Sequence, residues 1–119
     1  RDPEMSRGLG DVYKRQTDAW VRKGVTLFNE NQYQEAEECL NRAVRLRPAE
    51  FKTVYNRGKL RLKLGNIEGA IADLDKATSL KPEHAGAHEL FGDALLKAGK
   101  EVEAALQWRI AEELKKKKK

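Results

Sequence analysis

Residues 17–50 read TDAWVRKGVTLFNENQYQEAEECLNRAVRLRPAE, and the fold follows from sliding this stretch along the chain by 34 residues. Gly24 then falls on Gly58 and Gly92, and Ala36 on Ala70 and Ala104. Ala43 meets Ala77 and Ala111, and Leu46 meets Leu80 and Leu114. At ordinary residue usage each threefold match arises by chance in about 1% of columns or fewer. Four matches in one register define an internal repeat. Leu40, Leu74 and Trp108 share a column of bulky residues, and Pro48 matches Pro82 while the third copy has Lys116. The repeats therefore run 17–50, 51–84 and 85–118.

Each repeat reads as two helices. Trp20, Gly24 and Leu27 recur at helical spacing, and after a break at Asn31 so do Ala36, Leu40, Ala43 and Leu46. Asn31, Gly65 and Gly99 occupy equivalent places, and these residue types best tolerate the left-handed conformation that ends a helix. Pro48 and Pro82 stop the second helix of their repeats, because proline lacks an amide hydrogen and clashes with the preceding turn. The predicted helices span 17–30, 34–47, 51–64, 67–80, 85–98 and 101–115. Small residues at Gly24, Ala36 and Ala43 permit close helix crossings. One hairpin cannot bury its apolar stripe alone, so three stack into a continuous core. The fold class is all-α, an α-solenoid of three tandem antiparallel helical hairpins.

Composition agrees. A chain of 119 residues is about one domain, and 36% charged residues with only 3 prolines suit helices with solvated faces. No stretch approaches the roughly 20 apolar residues that cross a bilayer, and no secretion signal opens the chain. The single cysteine, Cys39, excludes an intramolecular disulfide and favours a reducing, cytoplasmic location. The net charge of +5 comes from the run Lys115 to Lys119; the other 19 basic residues face 19 acidic ones. The basicity is thus a property of the tail, residues 115–119, and no nucleic-acid-binding signature accompanies it.

The pattern resembles the tetratricopeptide repeat family: Trp20, Gly24, Tyr33, Ala36, Leu40, Ala43 and Pro48 stand at its signature spacings. The second copy keeps Gly58, Ala70, Leu74, Ala77 and Pro82. The third departs from it with His88, Glu101 and Lys116. The resemblance implies a right-handed superhelix over residues 17–114 that works as an interaction module, binding a peptide or partner protein in its concave groove. By that resemblance the groove is lined by Val21, Val25, Phe28, Asn29, Lys52, Tyr55, Asn56, Lys59, Leu62, Lys63, Glu89, Asp93, Leu96 and Lys97. One branch of the family holds acidic chaperone C-termini through a five-residue carboxylate clamp. Of that clamp only Asn56 survives, the other positions being Val21, Val25, Gly86 and Leu90, and a carboxylate needs charge-assisted donors.

Residues 1–16, RDPEMSRGLGDVYKRQ, lie outside the repeat register. They are expected to be a disordered leader or a non-native one, since the string resembles a translated sequencing-adapter junction. No catalytic, cofactor or metal site is expected. His84 falls in the turn after Pro82, so His84 and His88 do not form a helical ligand pair. Asp73 and Asp75 point to different sides of a helix and read as solvated charges. Cys39 reads as a half-buried structural thiol. The alternative to an interaction module is a fragment of a larger repeat-bearing enzyme or assembly factor. In the last helix Val102, Leu106 and Ile110 add an apolar stripe beside Ala104, Trp108 and Ala111. It is expected either to dock against a further capping helix or a second copy of the chain, or to replace the usual core positions through a one-residue slip.

Overall fold

The computed structural model describes the backbone of residues 3–117 and the side chains of residues 9–117. Residues 1 and 2 of the leader and Lys118 and Lys119 of the tail lie outside the described residues. Six α-helices are present among them: α1 (Pro3–Asn29), α2 (Tyr33–Leu46), α3 (Phe51–Leu64), α4 (Ile67–Leu80), α5 (Ala85–Lys97) and α6 (Glu101–Lys117). They pair as α1 on α2, α3 on α4 and α5 on α6, and each hairpin stacks on the next.

The hairpin turns repeat as faithfully as the sequence. Asn31, Gly65 and Gly99 have φ of 65°, 86° and 82°. Next to them the N–H groups of Gln32, Asn66 and Lys100 donate to the carbonyls of Leu27, Arg61 and Leu95 at 2.8, 2.8 and 2.9 Å. The chain reverses there with its last helical carbonyls satisfied, which only a residue tolerant of positive φ allows. α2 and α4 end at Leu46 and Leu80, two residues before Pro48 and Pro82.

Inside each hairpin a glycine meets a bulky residue. A Cβ at Gly24 would lie 3.0 Å from Leu40 Cγ, and one at Gly58 would lie 3.0 Å from Leu74 Cγ. In the third hairpin the partner is Trp108, whose Nε1 lies 2.5 Å from a Cβ built on Gly92. Ala36, Ala70, Ala104, Ala43, Ala77 and Ala111 are buried, as the recurrence of small residues requires.

The leader was expected to be either disordered or non-native; α1 begins at Pro3, fourteen residues before the first repeat. No proline interrupts residues 4–29, and helix propagates cheaply from an existing nucleus. Residues 9–16 of this extension are exposed, Leu9, Val12 and Tyr13 among them. Asp73 was expected to be solvated. Its side chain is only 5% exposed and pairs with two arginines of α3, through Arg57 Nη2 at 2.9 Å and Arg61 Nη1 at 3.3 Å. Asp75 is exposed and Cys39 is buried.

The same arginines join the first hairpin to the second. Arg57 Nη1 donates to Asn41 Oδ1 at 3.1 Å, and Arg61 Nε donates to Glu37 Oε2 at 3.1 Å. At the next junction Ile71, Leu90 and Phe91 pack on a buried cluster of Ala70, Leu74 and Ala94. The first junction adds these polar contacts to an apolar core in which Leu60 joins Leu40 and Ala43, while the second rests on apolar contacts.

Candidate peptide-binding groove

The first helices α1, α3 and α5 lie side by side, with α3 touching both neighbours, and this row forms one face of the array. Between α1 and α3 runs a groove holding a cavity of about 430 Å³, lined by Asp18, Val21, Arg22, Val25, Thr26, Lys52 and Asn56. A smaller cavity of about 30 Å³ continues it, bordered by Phe28, Asn29 and Lys59 and sharing Val25 and Asn56 with the first. Val21 is 3% exposed and belongs to the first core cluster, on which Val25 and Phe28 also pack. The floor is therefore firm and apolar. Asn56 Nδ2 donates to the Lys52 carbonyl at 2.8 Å, which holds the amide against α3.

Seven of the residues expected along the groove come together here: Val21, Val25, Phe28, Asn29, Lys52, Asn56 and Lys59. The others lie elsewhere. Tyr55 stacks on Phe51 with ring centres 5.2 Å apart and tilts against His84, also at 5.2 Å. Leu62 packs on the second core cluster. Lys63, Leu96 and Lys97 are exposed near the ends of α3 and α5. Glu89 pairs with Lys115 of α6, and Asp93 accepts a hydrogen bond from Trp108 Nε1 at 3.1 Å. Both third-repeat acids are thus tied to α6. Sequence reasoning missed Asp18, Arg22 and Thr26. The first two share the 34-residue columns of Lys52 and Asn56, so the repeat register itself carried that signal.

Burial, and secondarily the charge of Glu89, hold the Tyr55 phenol above its ordinary value of 10.0. The folded state then keeps the proton longer than the unfolded chain does. Its contribution to stability is complete below about pH 10 and is lost as pH rises through the folded value. Tyr55→Phe is expected to flatten this alkaline decline, which urea midpoints measured from about pH 9 to 11 will show. An unchanged slope would mean that Tyr55 is no more shielded than in the unfolded chain.

The histidines are occupied structurally. His84 Nδ1 accepts the Ala87 N–H at 3.0 Å and so caps α5, while the buried His88 ring bridges Gln107 Oε1 at 2.7 Å and the Pro82 carbonyl at 2.8 Å. Among the described residues no three His, Cys, Asp or Glu side chains gather as metal ligands. No helix there is long and apolar enough to cross a membrane.

On α6, Ala104 and Ala111 are buried, whereas Val102 is 85% and Leu106 56% exposed and Ile110 is half-buried. That excludes the one-residue slip. The residues of α6 equivalent to Glu37 and Asn41, which face the next hairpin, are Ala105 and Arg109. Leu106 is turned about 100° from Ala105.

These features define a helical-repeat scaffold with a groove between its first helices. A family model described as a tetratricopeptide repeat matches residues 24–90, and the chain belongs to that family. It is 35% identical to human "FK506-binding protein-like" over 75 residues, 63% of this chain and 21% of that protein. It is 32% identical to the Dictyostelium discoideum "Protein STIP1 homolog" over 82 residues, 69% of this chain and 14% of that one. The chain thus spans about a fifth or less of these curated relatives. Among solved structures it matches the "Second TPR of Spaghetti (RPAP3) bound to HSP90 peptide SRMEEVD" at 25% identity and TM-score 0.82, covering 87% of this chain and 98% of that one. MamA gives 27% identity and TM-score 0.81, covering 87% and 60%.

Proposed function

We propose that the chain is a protein interaction module that holds a segment of a partner protein in the groove between α1 and α3, and that it acts by binding rather than turnover. The observation that carries this reading is the cavity of about 430 Å³ over a firm apolar floor, within the size range of ligand sites. A relative in the same family, the second repeat domain of RPAP3, binds a chaperone peptide, which supports a peptide as the class of ligand. A free C-terminal carboxylate suits this groove poorly. Four of the five clamp positions carry Val21, Val25, Gly86 and Leu90, which offer no charged donor. A cytoplasmic location belongs to the same proposal, with the lone buried Cys39 as its support.

Asn56 borders both cavities, so Asn56→Phe fills them without adding charge. For peptides selected by display against the intact chain, this variant is expected to weaken binding at least about tenfold, or about 1.4 kcal/mol. Thermal unfolding should be nearly unchanged, because Asn56 is not a core residue. Leu106→Glu on α6 serves as the control and leaves affinity intact. Equal affinities for the wild type and Asn56→Phe would remove the groove assignment.

A further inference from the structure

If the groove is the binding site, the charges around it define its ligand more closely. Arg22, Lys52 and Lys59 border the two cavities, and all three are exposed. Among the described residues none of them has a carboxylate within 4.0 Å. Asp18 is the single carboxylate on these walls, and Lys14 faces it at 3.9 Å. Between the hairpins the same helix behaves differently, since Arg57 and Arg61 are matched by Asp73 and Glu37. The array neutralises cations between its hairpins and leaves those around the groove without partners.

The positions of these cations matter as much as their number. They stand at the rim, whereas the floor is Val21, Val25 and Phe28, with Lys59 Nζ 6.0 Å from the Phe28 ring centre. We propose that the groove takes an internal acidic segment of a partner protein in extended form, with an apolar side chain on the valine floor and a carboxylate on each side of it. Lys52 and Lys59 are seven residues apart on α3, about 10 Å along the helix. An extended chain advances about 3.3 Å per residue and turns alternate side chains to opposite faces, so the two carboxylates stand two residues apart on the rim side, the flexible lysine stems span the remaining distance, and the apolar residue between them faces the floor. Arg22 faces the same segment from α1. The Oδ1 of Asn56, whose Nδ2 is held by the Lys52 carbonyl, accepts a backbone N–H of the segment. No free C-terminus is needed, because the cations address side chains at the rim. Rim charges act mainly on the rate of encounter and are screened by salt.

The probes are short peptides blocked at both ends, centred on Ser-Asp-Leu-Glu, Ser-Asn-Leu-Gln or Ser-Lys-Leu-Lys, and titrated against the full chain by fluorescence anisotropy. The acidic peptide is expected to bind at least about tenfold tighter than the neutral one, with the advantage shrinking as salt rises. Lys52→Glu combined with Lys59→Glu should abolish that advantage, and the corresponding glutamine pair should reduce it, both with unchanged circular dichroism. Equal or tighter binding of the neutral or basic peptide, still lost in Asn56→Phe, overturns the acidic class while the groove reading stands. Acidic binding that needs an unblocked C-terminus overturns the internal segment. Acidic binding indifferent to Asn56→Phe overturns the groove itself. Failure of all three peptides to bind more tightly than about 1 mM overturns the proposal.

Discussion

Asp73→Ala is expected to cost about 3–5 kcal/mol, a large share of the stability of a domain this size. The carboxylate is almost wholly enclosed. Arg57 grips it in bidentate fashion, Nε to Oδ2 and Nη2 to Oδ1, both at 2.9 Å, and Arg61 Nη1 adds a third contact at 3.3 Å. Removing it leaves two guanidinium groups, 17% and 20% exposed, facing one another with one fewer anion between hairpins. The cost measures an orphaned charge and not the worth of the ion pairs themselves. Hence a double replacement, Asp73→Leu with Arg57→Met, which leaves Arg61 paired with Glu37, should recover much of the loss. Urea denaturation monitored by circular dichroism checks both expectations. A loss below about 1 kcal/mol for Asp73→Ala would show that water replaces the carboxylate without penalty.

The second large effect lies in the third hairpin. Gly92→Ala places a methyl group 2.5 Å from Trp108 Nε1 and 2.6 Å from Cδ1, inside any tolerable contact. The indole must move, and with it goes the Trp108 hydrogen bond to Asp93. Overpacking of this kind costs about 1–3 kcal/mol. The other repeats indicate the remedy, because Leu40 and Leu74 occupy the place of Trp108 and stand 3.0 Å from the equivalent position. Gly92→Ala with Trp108→Leu should therefore be more stable than Gly92→Ala alone. A double variant no better than the single one would show that the clash is relieved elsewhere, at the Ala104 carbonyl 3.1 Å away.

Much of this architecture is legible in the sequence, for reasons that particular residues make plain. Five of the six helices fall within a couple of residues of their predicted bounds. Their ends are set locally, by Asn31, Gly65 and Gly99 in the left-handed conformation and by Pro48 and Pro82. The start of α1 was not legible, because residues 9–16 are exposed and a helix face that packs on nothing carries no amphipathic period. Asp73 was misread because spacing along one helix says nothing about Arg57 and Arg61 on another. The groove was legible in part: repeat columns place a residue on a helix face but not against its neighbours. Glu89 and Asp93 stand in the columns of Tyr55 and Lys59, yet their partners Lys115 and Trp108 come from α6. The exposed cations of the groove become distinctive only once the pairing of every other arginine on α3 is known.

The contrast between the two inter-hairpin junctions also fixes the order of the modules. Glu37 and Asn41 on the first hairpin are matched to Arg61 and Arg57 respectively, while Ile71 on the second lies in the cluster with Leu90 and Phe91. Phe91 and Leu95 are the register equivalents of Arg57 and Arg61. A shuffled chain with the second and third hairpins exchanged would set Glu37 against Leu95, and Ile71 would lose its apolar seat. The three units share a backbone plan but are keyed to their neighbours like pieces with different teeth. Recombination that treats them as interchangeable beads would give chains with good local helices and mismatched seams.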